Sequence, residues 1–522
     1  ADAPMGAARE SARKAICDSG LHQRWVCVID AALRKAGPHV RAFHRVQFVF
    51  LHDATGAALL MRHKLKSTFS NVFHRVFAPV LITGMKSAGA ALAIFCCAGF
   101  FAQSAAAERI KPVAYVKVCS LQGAGFYNIP GTDTCLKVGG YMRVDTFFNA
   151  PATFTQLGTY NRATNYIITR PRPVITLDAR SQTAYGTLRS YARFGVNING
   201  SGLGAVPFMD RAFIEFAGFT LGQTVSFYDI LGYSPFVSYH ALWTLGDTGG
   251  AGINVLAYTA RLGGDVSATL SLEDPLMRRR GIYSTIAGVA TNGVKGVAFP
   301  DVVGLVSLDK SWGKLAIAGA LHDASAAHYI PGTPASGAPQ DALGYAATFG
   351  GYIKIPDHPG DLVNFQIAWG RGAMGYVTDI GAGGTTLLRG GITTQAFVSD
   401  AVYAAGGGSI ELTRGWSANA GYEHAWNPAL KSSLFGGYAA LDYSAAASLM
   451  LCNGANGCDA SFSFYQLGTR TLWMPVANLT IGLDLVYSHF NDSTPAPARQ
   501  AGRGDAAIWS GMLRVQRDFW PF

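Results

Sequence analysis

From Lys137 to Phe519 the chain alternates apolar and polar residues with a period of two, segment after segment. That period sends successive side chains to opposite faces of a sheet. In Thr187–Val196, one face carries Leu188, Ser190, Ala192, Phe194 and Val196, and the other carries Arg189, Tyr191, Arg193 and Gly195. In Pro173–Arg180, Ile175, Leu177 and Ala179 oppose Thr176, Asp178 and Arg180. In Arg211–Ala217, Ala212, Ile214 and Phe216 oppose Arg211, Phe213 and Glu215. Val266–Glu273 repeats the pattern. In the last such segment, Trp509, Leu513, Val515 and Phe519 oppose Ser510, Arg514, Gln516 and Asp518, with Arg517 breaking the apolar face near its end.

A soluble sandwich also alternates, so composition is needed to decide. Charged residues make up 14% of the 522 residues, where a soluble protein carries about 25%. A helical membrane protein needs several apolar runs of about 20 residues, and one stretch, Ala88–Ala107, fits loosely. The 62 glycines and 12% aromatics suit an all-β fold, a transmembrane antiparallel β-barrel with an apolar outer face and a polar inner one. Lipid offers no hydrogen bonds, so the sheet must close on itself. Residues 108–522 accommodate 16 strands at roughly 26 residues per strand and loop. Short turns are expected at Ser311–Gly313, Thr413–Gly415 and Asn427–Leu430, and longer loops at Glu273–Asn292, Asp323–Asp341 and Thr378–Thr386.

The net charge of +10 suggests nucleic-acid binding until it is located. Residues 1–84 hold 12 Lys/Arg against 5 Asp/Glu, whereas residues 108–522 hold 29 against 27. No basic stripe with interleaved aromatics runs through the long C-terminal part, so no nucleic-acid partner is expected. Met85-Lys86, the apolar run Ala90–Phe101 and the small residues Ala102–Ala107 read as a signal peptide over 85–107 that directs export. Residues 1–84 lack the alternation and read as a non-native or mis-started extension, despite Cys17, Cys27 and six histidines whose spacing matches no zinc pattern.

In an exported chain, Cys119 and Cys135 flank a Gly/Pro turn and suit a disulfide, and Cys452 with Cys458 suits a second, local one; free thiols are the alternative in both cases. Arg170, Arg172, Arg180, Arg189, Arg193 and Arg211 cluster in the early strands. An arginine facing lipid at the midplane costs about 2–4 kcal/mol, so these belong to the lumen. Some can simply pair with Asp178 or Glu215.

The stretches Tyr115-Val-Lys-Val-Cys119, Gly123-Ala-Gly-Phe-Tyr127, Ile129–Cys135 and Leu136–Val144 closely resemble the opening of the alphaproteobacterial general porins, the rhizobial and brucella-type family. Tyr185–Tyr191, Met209–Thr220, Ser226–Asp229, Leu272–Pro275, Pro300–Gly304 and Leu513–Phe519 extend the likeness over roughly residues 113–519. The resemblance implies a homotrimer of 16-stranded barrels in the outer membrane, passing small hydrophilic solutes. It also implies a third loop folded into the barrel, here within Asp229–Gly252 and carrying Asp229 and Asp247 opposite the arginine wall. Two departures stand out: the terminal Trp520-Pro-Phe522, and the prolines of Arg170-Pro-Arg-Pro173.

The competing readings are a sugar- or anion-biased channel of the same fold and a barrel enzyme. The first needs an aromatic slide, for which Tyr191 and Tyr258 are the candidates. The second needs a Ser/His/Asp set, and the histidines at 240, 322, 328, 358, 424 and 489 are dispersed along the chain. Gly381–Gly384 lacks the strand-to-helix context of a phosphate loop, and Arg503-Gly-Asp505 reads as solvated loop. No catalytic set, cofactor or metal site is expected.

Overall fold

The structure is a computed structural model that describes residues 118–149, 166–199, 204–231, 237–240, 242–248, 250–286, 289–381, 385–389, 392–452, 459–491 and 506–519. The proposed extension, signal peptide and chain terminus, together with Arg503–Asp505, lie outside these residues. Sixteen antiparallel strands close into a barrel. They are β1 (Cys135–Phe148), β2 (Ile167–Thr183), β3 (Gly186–Asn199), β4 (Gly204–Phe216), β5 (Phe219–Thr224), β6 (Ile253–Gly263), β7 (Val266–Glu273) and β8 (Asp301–Lys310), then β9 (Gly313–Asp323), β10 (Leu343–Lys354), β11 (Leu362–Arg371), β12 (Arg414–Asn427), β13 (Leu430–Asp442), β14 (Phe462–Val476), β15 (Leu479–Asn491) and β16 (Ala506–Asp518). The last strand pairs with the first, Val515 opposite Val144.

Turns are tight at one end and long at the other. Asp265 and Asn478 take positive φ, 67° and 64°, in the two-residue turns after β6 and β14, a conformation that Asp and Asn tolerate. The long connections fall where the polar stretches predict them. One expected short turn is corrected: Arg414 and Gly415 already belong to β12, and the connection from β11 to β12 spans residues 372–413.

Facing positions divide as lipid and interior require. Ile175, Ile214, Ile317, Ile367 and Leu467 are exposed on the outer surface. Outward aromatics gather in two rows. Tyr345, Trp369, Trp416 and Trp509 lie near the long-loop end, and Trp312, Trp426 and Trp473 near the short-turn end, as at the two interfaces of a membrane. Arg517 points outward and donates to the Ala477 carbonyl in a short turn, at the edge where its charge can reach water.

Both prolines of the Arg170–Pro173 stretch sit within β2, in register with β1. Their cost appears on the other side. The β2–β3 ladder stops at Val174–Gly195, since proline has no N–H to offer a neighbour. Cys119 and Cys135 are disulfide-bonded. Cys452 is also in a disulfide; its expected partner, Cys458, lies outside the described residues. Replacing Cys119 and Cys135 by Ser is expected to lower the unfolding free energy by about 3 kcal/mol through the freed unfolded chain. Urea titration of the refolded barrel in vesicles measures this, and an unchanged midpoint would contradict it.

Candidate channel constriction

The inner wall is not uniformly polar, as alternation alone predicts. On β1–β4, eight basic side chains (Lys137, Arg143, Arg170, Arg172, Arg180, Arg189, Arg193, Arg211) share the inner face with four carboxylates (Asp145, Asp178, Asp210, Glu215). Across the barrel the inner face carries apolar patches where loops lie on it. Val303, Ala316, Ala318, Ala320 and Ala346 pack against Tyr228, Ile230 and Tyr376, and Phe435 and Val486 pack against Val237, Leu242 and Leu245.

The loop on that wall is the third long connection, residues 225–252. It leaves β5 and reaches strands on the far side of the barrel. The Tyr239 and His240 amides donate to Asp484 on β15. The Trp243 amide donates to Gln466 Oε1 on β14 at 2.6 Å, and Thr244 Oγ1 to Asn419 Oδ1 on β12 at 2.5 Å. Ser433 Oγ on β13 donates to the Val237 carbonyl at 2.5 Å. Glycines on the same wall make room for the loop. A Cβ on Gly482 would meet the Tyr239 ring, and one on Gly437 would meet both Asn419 Oδ1 and Thr244 Oγ1. Gly437→Val should therefore break the Thr244–Asn419 bond and strand buried polar atoms, a loss of about 1–3 kcal/mol. The expected outcome is a loop tip newly open to limited proteolysis, and an unchanged cleavage pattern would count against it.

The arginine wall is tightly paired. Asp178 accepts from Arg180 at 2.8 and 3.0 Å and from Arg189 at 3.1 Å, and Arg189 also reaches Glu215 at 3.0 Å. Arg193 forms a two-pronged bond to Asp210 at 2.6 and 2.7 Å, and Arg172 lies 3.7 Å from the same carboxylate. Arg514 on β16 binds Asp145 at 2.6 Å, and Arg170 lies 3.5 Å from it. A bulge explains how Asp210 and Arg211 both come to face inward. The register shifts at Arg193/Phe194, so two residues of β4 oppose one of β3. Tyr239, from the loop, lies beneath two guanidinium groups, Arg514 at 4.2 Å and Arg470 at 5.1 Å.

Of the residues singled out from sequence, Arg170, Arg172, Asp178, Arg180, Arg189, Arg193, Arg211 and Glu215 come together on one wall. Asp229 does not join them. It is buried and binds Arg278 at 2.5 Å and the Thr248 amide at 2.8 Å. Arg278, fully buried, also donates to the carbonyls of Gly246 and Gly375 at 3.1 Å, which staples three connections together. Burial disfavours the Arg278 charge, yet Asp229, Tyr376 and Glu273 outweigh it and hold the guanidinium above its ordinary range. Nearby, burial raises the Asp379 carboxyl to about 6 against the opposing pull of Arg280. Asp247 is half-buried within the loop. Asp145, Asp210 and Arg514 were not chosen from sequence. Parity with Arg143 and Gln516 pointed to Asp145 and Arg514, but only the bulge turns Asp210 inward.

Two further readings are corrected. Tyr258 faces outward and packs on Phe219 at 4.9 Å, so it cannot line a slide. The histidines, dispersed in sequence, do meet carboxylates in space: His322 with Asp301 at 2.7 Å, His424 with Asp361 at 2.8 Å and His240 with Asp484 at 3.3 Å. Among the described residues no serine hydroxyl bonds any of these three rings.

A family model described as "Porin subfamily" matches residues 105–512. An outer membrane protein of Sinorhizobium fredii is 33% identical over 130 residues, 24% of this chain and 38% of its own length. The porin Omp2b of Brucella suis is 29% identical over 243 residues, 44% of this chain and 62% of its own. The chain thus aligns to less than two thirds of these curated relatives. The outer membrane channel DcaP of Acinetobacter baumannii superposes with a TM-score of 0.51 at 14% identity, covering 75% of this chain and 99% of that one, a likeness of fold.

Proposed function

Because this chain belongs to the Porin subfamily, a family of outer-membrane barrels, we propose that it forms a water-filled channel for passive diffusion of small hydrophilic solutes and ions. The observation that carries this is the division of the barrel interior. One half is occupied by the third loop, bonded to β12–β15, and the other half presents β1–β4 with twice as many basic as acidic side chains. A solute passing between them meets charge on one side and a fixed loop on the other. Such an arrangement disfavours apolar solutes and leans toward anions. The lining includes Arg170, Arg172, Asp178, Arg180, Arg189, Arg193, Arg211 and Glu215, while Asp229 positions the loop and Asp247 lies along it. Two finer proposals follow: the motif likeness supports assembly as a homotrimer, and the basic, apolar and small-residue pattern of residues 85–107 supports their removal on export.

Planar-bilayer recordings of the refolded chain test the reading. Stepwise openings with a mild anion preference are expected. A barrel that folds and inserts yet conducts nothing would overturn it.

A further inference from the structure

On the outer surface, at the long-loop end, a recess of about 380 Å³ lies over β10–β13. Its floor is Tyr345, Trp369 and Trp416, and its rim is Arg371, Arg414 and Asp442. Arg371 and Arg414 are directly opposite each other across the β11–β12 ladder, and Arg414 is opposite Asp442 across the next. Like charges facing across a ladder repel, and the rim offers the two guanidiniums a single carboxylate, Asp442. Among the described residues neither guanidinium makes an ion pair or side-chain hydrogen bond, and Arg371 Nε is buried without a partner. On the inner wall, by contrast, Arg189 and Arg193 each bind a carboxylate directly.

Position identifies the missing anion. Trp369 and Trp416 lie two residues below the arginines on the same outward face, within the row of aromatics that marks an interface. The arginines therefore stand at headgroup height, in the leaflet on the long-loop side, which is the outer one. Two adjacent guanidiniums offer several donors to tetrahedral oxygens. Asp442 can accept from a neighbouring hydroxyl or ammonium, and the aromatic floor can carry acyl chains running down the barrel.

We propose that Arg371 and Arg414 bind the phosphate of an outer-leaflet lipid whose acyl chains lie over Tyr345, Trp369 and Trp416. This rests on the outer-membrane reading but not on conduction, so bilayer recordings separate the two. The site would fix the barrel's depth and add negative charge where Asp442 alone faces two guanidiniums.

The test is native mass spectrometry of the full chain refolded in detergent, titrated with a bisphosphorylated acylated glucosamine disaccharide, with its dephosphorylated form, and with inorganic phosphate as competitor. The phosphorylated lipid should be retained, and Arg371→Gln/Arg414→Gln should weaken retention at least about tenfold. The dephosphorylated lipid should bind the native chain no better than the phosphorylated lipid binds the variant. Conductance of the double variant should match the native channel, since these side chains point away from the lumen. Equal retention by native and variant chains, or equal retention of both lipids, would overturn the proposal. So would full displacement by inorganic phosphate, which would mark a free-anion site. If the double variant does not fold, Arg414→Gln alone, at the exposed position, should still weaken retention, and no change there would also overturn it.

Discussion

Arg278→Ala is expected to open the channel more than any change on the arginine wall. The substitution leaves the Asp229 carboxylate buried without its counter-charge and removes the donors to Gly246 and Gly375. Breaking a buried pair on one side costs about 3–5 kcal/mol. That cost falls on the root of the third loop, whose tip is held to β12–β15 by hydrogen bonds, those with Gln466, Asn419 and Ser433 being between uncharged groups. Single-channel conductance should rise and become noisy, while the barrel itself keeps its closed ladder. Arg278→Lys should fall between the native channel and alanine, because it keeps a counter-charge for Asp229 but one ammonium cannot also reach two carbonyls in the guanidinium geometry. Arg278→Met combined with Asp229→Leu should recover much of the native conductance, since no uncompensated charge is then buried. If Arg278→Ala conducts like the native channel, the staple does not position the loop.

The second large effect concerns ion preference. Arg189→Gln with Arg193→Gln should turn the channel toward cations. The pairing seen on the wall strengthens this expectation. Asp178, Glu215 and Asp210 now bind these arginines, so neutralising the arginines exposes carboxylates to the passing ion. A unit charge about 8 Å from the path is worth roughly 2 kcal/mol at an effective dielectric of about 20, before salt screening. A several-fold change in permeability ratio follows. Asp210→Asn should act in the opposite sense, because it frees Arg193 and Arg172 from their shared carboxylate. Reversal potentials in a KCl gradient measure both signs. Shifts in the same direction for the two variants would mean that these groups act through loop position rather than charge.

What the sequence alone determined was the fold class, the count of strands and, where the alternation is unbroken, the side a residue takes. Period two is a local property of the backbone, and lipid enforces it along every strand, so Arg189, Arg193 and Ile175 could be assigned a face before any contact was known. The first disulfide was legible for a similar reason: Cys119 and Cys135 lie close in sequence about one turn. Everything that depends on where a long loop lands was decided by tertiary structure. Asp229 looked like a lining carboxylate, yet its partner, Arg278, lies in another connection. On the inner faces of β9 and β13, Ala318 and Phe435 are covered by loops. Asp210 turns inward only because a bulge breaks the alternation that otherwise predicts its face. Parity fixes which side a residue occupies, but what it meets there is set by chain segments distant in sequence.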